Sequence, residues 1–333
     1  MVRPGLIELE ERPVPVPGPG QVLVEVSAVG VCGSDVHWFT EGRIGELAVD
    51  GPLVLGHEAS GVVRALGPGA DQLKVGDRIA MEPGIPCRRC RACRHGQYNL
   101  CPHIRFFATP PVDGAFARYV VHEEDFCYVL PDHVSDDAGA LLEPLSVGIW
   151  STWKAHIAVG DRVLVTGAGP IGLVVAAVAR AAGAQEVVVT DTQAVRLPSA
   201  TKMGATAVVD ALKDGDSLVD MQADVLIECS GSMQALETGL RALRGGARAV
   251  VVGMSSESHP RLPLALVQWR EIELTGTFRY ANTYPTAVAM ASAGTVPLDD
   301  LVTGHYSLAQ VEEALTAGRR DPLAVKPVVL PGR

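Results

Sequence analysis

Two rhythms of apolar and polar residues run along the chain, and one gives way to the other near Pro144. Before that point, short apolar runs broken by single polar residues occupy 21–26, 62–67, 77–81, 116–121 and 126–130, separated by segments such as the Pro- and Gly-rich 13–20. Alternation bounded by turn residues predicts half-buried strands, here in a mostly β unit with long irregular loops. From Val159 on, apolar runs at 162–166, 186–190, 206–209, 224–228, 248–252 and 271–275 alternate with Ala- and Leu-rich helical stretches such as 171–182 and 233–243. Strand and helix in strict alternation, with short connections, predict a doubly wound parallel sheet. After Phe278 the pattern breaks again. Helices are predicted over 285–293 and 308–318, and a closing strand over 324–330 that returns to the first unit. The expected class is α/β: a β-rich domain over 1–146 with a loop lobe at 86–102, a Rossmann domain over 147–278, and a returning segment over 279–333.

Composition narrows the function. Of 333 residues 47% are hydrophobic and 20% charged, enough apolar material for packed cores. No run approaches the roughly 18 apolar residues of a membrane-crossing helix, so no membrane association is expected. The first residues carry no apolar stretch of the secretory kind, so the expected location is the cytoplasm. A net charge of -10 speaks against nucleic acid as a partner, since phosphates call for a basic face.

The first run of the parallel sheet leads directly into Gly167-Ala168-Gly169-Pro170-Ile171-Gly172, and a helical stretch follows. This is G-x-G-x-x-G in the setting that gives it meaning. Gly167 permits the tight turn, Gly169 lets a pyrophosphate touch the backbone, and Gly172 lets the helix pack against the strand. The helix that opens at Ile171 and Gly172 turns its N–H groups and dipole toward the phosphates. Asp191 ends the second run, nineteen residues beyond Gly172. Its carboxylate suits an adenosine ribose and repels a 2′-phosphate, which favours NAD over NADP. Arg196 is a candidate to lie over the adenosine, and Gly253, Met254 and Ser255 follow the fifth run, where the cofactor passes.

Four of the seven cysteines, Cys87, Cys90, Cys93 and Cys101, fall within fifteen residues. A loop can fold four such thiols around one tetrahedral zinc, and a closed all-sulfur site is structural. Arg88, Arg89, Arg91 and Arg94 decorate the lobe and read as a solvated basic patch.

Three further segments hold candidate ligands: Cys32 within 30–37, the adjacent His57 and Glu58 within 55–61, and Glu143 inside the apolar run 141–145. Thiol, imidazole and carboxylate drawn from distant segments are how catalytic zinc is held. Spacing alone leaves plainer assignments open: His57 as a hydrogen-bonded core residue, Cys32 as a small core hydrophobe, Glu58 and Glu143 as members of ion pairs.

These segments, in this order, resemble the zinc-dependent medium-chain dehydrogenase/reductase superfamily: G-V-C-G-S-D-V-H, G-H-E-A-S-G-V-V, the four-Cys lobe, L-L-E-P-L-S-V and G-A-G-P-I-G. The stretches 41–45, 107–114, 228–231 and 278–283 resemble its polyol branch, the sorbitol (L-iditol) and xylitol dehydrogenases. The resemblance implies a GroES-like catalytic domain beside the Rossmann domain, NAD as cofactor, and two zinc ions per chain. It implies a catalytic zinc on Cys32, His57 and Glu58, with Glu143 beside the metal as ligand or support, and a structural zinc in the lobe. It implies that Phe278, Arg279 and Tyr280 stand where nicotinamide meets a polyol, with Arg279 donating to its hydroxyls. Ser34 and His37 become candidates for a proton relay. Trp38 stands where relatives often have Tyr. A homotetramer is also implied.

Overall fold

The structure, a computed structural model, describes residues 1–255 and 261–333. The strands of its two main sheets are, in chain order, β1 (Gln21–Gly30), β2 (Glu58–Leu66), β3 (Arg78–Met81), β4 (Tyr119–Glu123), β5 (Cys127–Val129), β6 (Arg162–Thr166), β7 (Glu186–Asp191), β8 (Ala207–Asp210), β9 (Ala223–Glu228), β10 (Leu243–Val251), β11 (Glu273–Gly276), β12 (Val302–Tyr306) and β13 (Lys326–Val329). The chain divides into two compact units: residues 1–143 with 284–333, and residues 144–283.

In the first unit the strands run in the order β12-β13-β1-β2-β3-β5, with β4 also paired to β1. Alternation fixes which face of β1 is buried. Val22, Val24 and Val26 point into one core with Val63, Ile79, Met81 and Val120, and Ala28 is buried as well, while Gln21, Leu23 and Glu25 are only half-buried. Each such valine contributes roughly 1.5–3 kcal/mol on burial. The returning chain end does what its apolar run predicts: β13 pairs antiparallel with the far end of β1, Val29 opposite Val329. Beside β13 lies β12, in parallel. Its sequence, Val-Thr-Gly-His-Tyr, lacks a clean apolar alternation, and its pairing lies entirely with a later segment, so periodicity did not announce it.

The second unit carries six parallel strands in the order β8-β7-β6-β9-β10-β11. Strands covered on both faces read as unbroken apolar runs. Val187, Val188 and Val189 of β7 are all buried, as are Val163, Leu164 and Val165 of β6. The order reverses between β6 and β9, and ligands of such sheets bind outside the carboxyl ends of the strands at that switch point. Beyond β11 the chain stays with this unit as far as Thr283, so Phe278, Arg279 and Tyr280 all belong to it. Among the described residues no helix is long and apolar enough to cross a membrane.

Candidate active site

Where β1 ends, Cys32 caps the helix Gly33–Glu41 from an extended backbone conformation. His57 and Glu58 enter at the start of β2, the strand paired to β1, with Gly30 opposite Glu58. Pairing thus brings two segments of the sequence to one place. One ligand atom each from Cys32, His57 and Glu58 lie within 4.8 Å of one another. His57 and Glu58 are buried and Cys32 is half-buried. Sulfur, nitrogen and oxygen donors so grouped fit a zinc ion with a position left for substrate.

Two residues that motif reading passed over hold this group in shape. Asp35 is fully buried; its carboxylate accepts from the backbone N–H of Cys32 at 3.1 Å and of Gly56 at 2.9 Å, and stands 3.5 Å from His57 Nδ1. A carboxylate behind an imidazole fixes the ring and its tautomer. Burial alone would lower the His57 pKa, but Asp35 and Cys32 outweigh it and hold it well above the ordinary value. Lys326, at the start of β13, donates from Nζ to both Glu58 carboxylate oxygens at 2.8 Å and to the Val31 carbonyl at 3.0 Å. Both partners are buried. Burial opposes the lysine's charge, yet Glu58 raises its pKa above the usual value. Gly30 makes room for the pair: a Cβ there would lie 2.0 Å from Glu58 Oε2.

Glu143 is buried at the second position of the helix Leu142–Lys154 and lies outside the group of three ligand atoms. Its charge reaches Lys326 and Glu82. Ser34 is half-buried in the first turn of the helix after Cys32. His37 is exposed, with Nδ1 3.0 Å from Glu41 Oε1. Trp38 is buried in an apolar cluster with Phe39, Leu53, Leu55 and Leu315.

The four cysteines of the lobe also converge, with one sulfur from each within 4.8 Å of the others. Thiolates on one tetrahedral zinc stand roughly 3.8 Å apart. Here Cys90 and Cys93 are separated by 3.4 Å and Cys87 and Cys93 by 4.0 Å. Backbone N–H groups of Arg89 and Cys90 bring the Cys87 thiol down to about 6, whereas burial and the neighbouring thiols push Cys93 up to about 12. One thiolate obstructs the next, as expected for a set whose charge a divalent cation completes. Arg88 lies outside this set, pairing with Asp125 at 2.9 Å.

Between lobe and sheet sits a third missed residue. Glu82 is buried and accepts from the Tyr98 hydroxyl at 2.7 Å and the Tyr128 hydroxyl at 3.0 Å. Tyr128 in turn stacks on Tyr284. Burial raises Glu82 from 4.5 to about 7 against the pull of both tyrosines. Folding therefore takes up a proton here: the stability contribution is full below pH 4.5 and is lost as pH rises through about 7. His122, which burial lowers from 6.5 to about 4, has the opposite dependence, with stability lost as pH falls through that range. Comparing Glu82→Gln with the parent cancels the histidine. Urea unfolding at pH 4.5 and pH 8 should show the variant gaining on the parent by roughly 3 kcal/mol at the higher pH. An unchanged difference between the two proteins would remove Glu82 from this role.

The glycine turn of the second unit has the geometry its sequence demands. Gly167 follows β6 with φ +96° and donates its N–H to the Thr190 carbonyl at 2.7 Å. Gly169 caps the helix Pro170–Ala181, and a Cβ added to it meets nothing within 4 Å, so the backbone there is open to a ligand. At Gly172 a Cβ would lie 1.8 Å from the Gly167 carbonyl oxygen, and only glycine fits. Ile171 opens the helix behind Pro170. Asp191, nearly buried at the end of β7, accepts from the Ala168 N–H at 2.7 Å and the Gln193 N–H at 2.7 Å. Those two bonds leave lone pairs on each oxygen for ribose hydroxyls. Arg196 is half-buried in the turn just after. Gly253, Met254 and Ser255 continue from β10, with Met254 exposed. Such an open, glycine-lined turn fits a dinucleotide.

Comparison with known proteins agrees with both halves. Residues 18–132 match the alcohol dehydrogenase GroES-like domain, and residues 170–293 match the zinc-binding dehydrogenase domain. The chain is 45% identical to the sorbitol dehydrogenase of Rattus norvegicus over 95% of its own length and 91% of that protein. It is 43% identical to the sorbitol dehydrogenase of Bacillus subtilis, covering 93% and 89%. The chain belongs to the zinc-dependent medium-chain dehydrogenases, in their polyol branch. Among solved structures, an Escherichia coli oxidoreductase/dehydrogenase of unknown specificity superposes with a TM-score of 0.93 at 33% identity, over 98% of this chain and 96% of that one. As a zinc-binding dehydrogenase this enzyme uses zinc and a nicotinamide dinucleotide on a small-molecule substrate, and the four-Cys lobe fits structural zinc.

Proposed function

We propose that this dehydrogenase oxidises a polyol of the sorbitol, L-iditol or xylitol type at C2 to the 2-ketose, with NAD as hydride acceptor. The observation that carries the reading is the grouping of half-buried Cys32 with buried His57 and Glu58 in a chain that also bears an open dinucleotide turn. When bound, zinc supplies Lewis acidity that lowers the pKa of a carbinol hydroxyl, and NAD takes up the hydride. Cys32, His57 and Glu58 would hold the metal, with Glu143 as a nearby carboxylate, while Asp35 orients the imidazole and Lys326 offsets the charge of Glu58. The glycine turn binds the pyrophosphate, and Asp191 accepts from the adenosine ribose beside Arg196. Its carboxylate is the reason for choosing NAD over NADP. Gly253, Met254 and Ser255 lie along the cofactor's path.

Arg279 binds polyol hydroxyls in this reading. It is a non-glycine residue at φ +54°, and its guanidinium lies 4.7 Å from the centre of the half-exposed Phe278 ring. Backbone strain of this kind collects at working sites. Tyr280, the next residue, is buried. Trp38, an indole in place of a phenol, alters the preferred hydroxyl pattern. The substrate proton leaves through Ser34 to His37, whose exposure and bond to Glu41 suit a surface terminus.

We further propose a cytoplasmic homo-oligomer, the tetramer of its resemblance. Reduced metal-binding thiols support the compartment. The exposed Trp269 and Leu264 support a self-associating face, to be checked by light scattering. Steady-state rates on sorbitol, xylitol, galactitol and 2,3-butanediol, each with NAD and NADP, test the central reading. A polyol should give the highest kcat/KM, and NAD should exceed NADP by at least about tenfold, or ~1.4 kcal/mol of discrimination. Butanediol as the best substrate, or NADP as the better cofactor, would overturn it.

A further inference from the structure

Glu228, the last residue of β9, is 1% exposed, and no part assigned so far uses it. It stands at the switch point of the sheet, opposite Thr166 at the end of β6, the last residue before the glycine turn. Its Oε1 accepts from the Thr166 hydroxyl at 3.3 Å, from the Ser230 N–H at 2.7 Å and from the Gly231 N–H at 3.0 Å, and the Ser230 hydroxyl donates to the same oxygen. Its Oε2 accepts from the Gly231 N–H at 3.2 Å. Its backbone carbonyl accepts from Val252 and Gly253 at 2.8 and 3.0 Å. The side chain and main chain of one residue thus tie together the chain leaving β6, β9 and β10.

The packing at this knot leaves little slack. A Cβ on Gly253 would lie 2.1 Å from the Gly231 nitrogen and 2.9 Å from Glu228 Oε2. A Cβ on Gly231 would lie 2.4 Å from the Met254 carbonyl oxygen. The loops after β9 and β10 therefore hold their relative position through Glu228. They lie on the side of the switch point away from β7 and Asp191, the adenosine end. Buried polar networks with every member satisfied impose a single geometry, and partial loss of one is costly.

We infer that Glu228 is a positioning residue for the nicotinamide half of the dinucleotide site: its buried carboxylate sets the loops Cys229–Ser232 and Val252–Ser255 against the glycine turn. The inference rests on the dinucleotide reading of that turn. It predicts an effect that is uneven along the cofactor. Glutamine in place of Glu228 retains the shape and one carbonyl oxygen for the bonds that Oε1 accepts, but in place of Oε2 it presents an NH2 donor to the Gly231 N–H, itself a donor. The loops on the nicotinamide side shift, while Asp191 and its bonds to Ala168 and Gln193 do not depend on the carboxylate.

The test is calorimetric titration of the zinc-loaded enzyme with NADH and, separately, with ADP, which fills only the adenosine end. For Glu228→Gln the NADH affinity should fall at least about tenfold and the ADP affinity stay within about twofold of the parent. Ser230→Ala, which removes one hydroxyl from the same oxygen and is the gentler change, should give about a threefold fall for NADH alone and serves if the first variant does not fold. Equal losses for both ligands, or no loss for NADH, would overturn the positioning role. A parent enzyme that binds neither ligand would overturn the dinucleotide reading itself, and the inference with it.

Discussion

Cys32→Ser should lose turnover by about 10³-fold or more, lose one of two zinc ions, and keep its NADH affinity within about twofold. The fold has no reason to suffer. Cys32 sits at an N-cap with extended backbone, a position serine fills well. What serine cannot supply is a thiolate, since its hydroxyl does not ionise near neutral pH and is a poor zinc ligand. Losing several kcal/mol of Lewis-acid stabilisation on the carbinol oxygen corresponds to a rate loss of this size. The dinucleotide turn lies in the other unit and shares no residue with this group. Metal analysis, steady-state kinetics and NADH titration on one preparation check all three outcomes. A variant within tenfold of the parent rate, or one that keeps both ions, would remove Cys32 from the metal.

In the zinc-free protein Lys326→Ala should destabilise the fold by about 3–5 kcal/mol, the cost of leaving a buried carboxylate without its partner. The magnitude follows from burial rather than from the ion pair itself. Lys326 and Glu58 are 2% and 1% exposed in their side chains, so water replaces nothing when the ammonium is removed. Lys326→Met, which keeps the aliphatic stem, should lose nearly as much. Adding Glu58→Gln to it should recover most of the loss, because the orphaned charge is gone. Urea unfolding of the three variants measures the coupling. A loss below about 1 kcal/mol for Lys326→Ala would mean that Glu58 does not need this counter-charge.

Much of this was legible in the residues, for identifiable reasons. The parallel sheet showed itself because strands such as Val187 to Val189 are apolar on both faces and stand apart from their helices. The glycine turn and the four-Cys lobe were legible because each puts its chemistry into one short stretch. His57 and Glu58 were found as a polar pair beside a glycine, but their meeting with Cys32 depends on β1 pairing with β2, which spacing does not reveal. Asp35, Glu82 and Lys326 escaped. Each acts through a contact with residues well separated from it in sequence, and Lys326 meets Glu58 across 268 positions. A signal was present all the same: Glu82 follows a buried strand, and Lys326 opens a strand in which all four residues are buried. A lone charge in an apolar run was the ground on which Glu143 was singled out, and the same rule applied evenly would have flagged these two.

The most direct test is anomalous diffraction at the zinc edge from crystals of the enzyme grown with zinc and NAD. Two peaks per chain are expected, one inside the sulfurs of Cys87, Cys90, Cys93 and Cys101, the other in contact with Cys32 Sγ, a ring nitrogen of His57 and a carboxylate oxygen of Glu58 or Glu143. A single peak in the lobe, or a second peak remote from Cys32 and His57, would contradict a catalytic metal at this site.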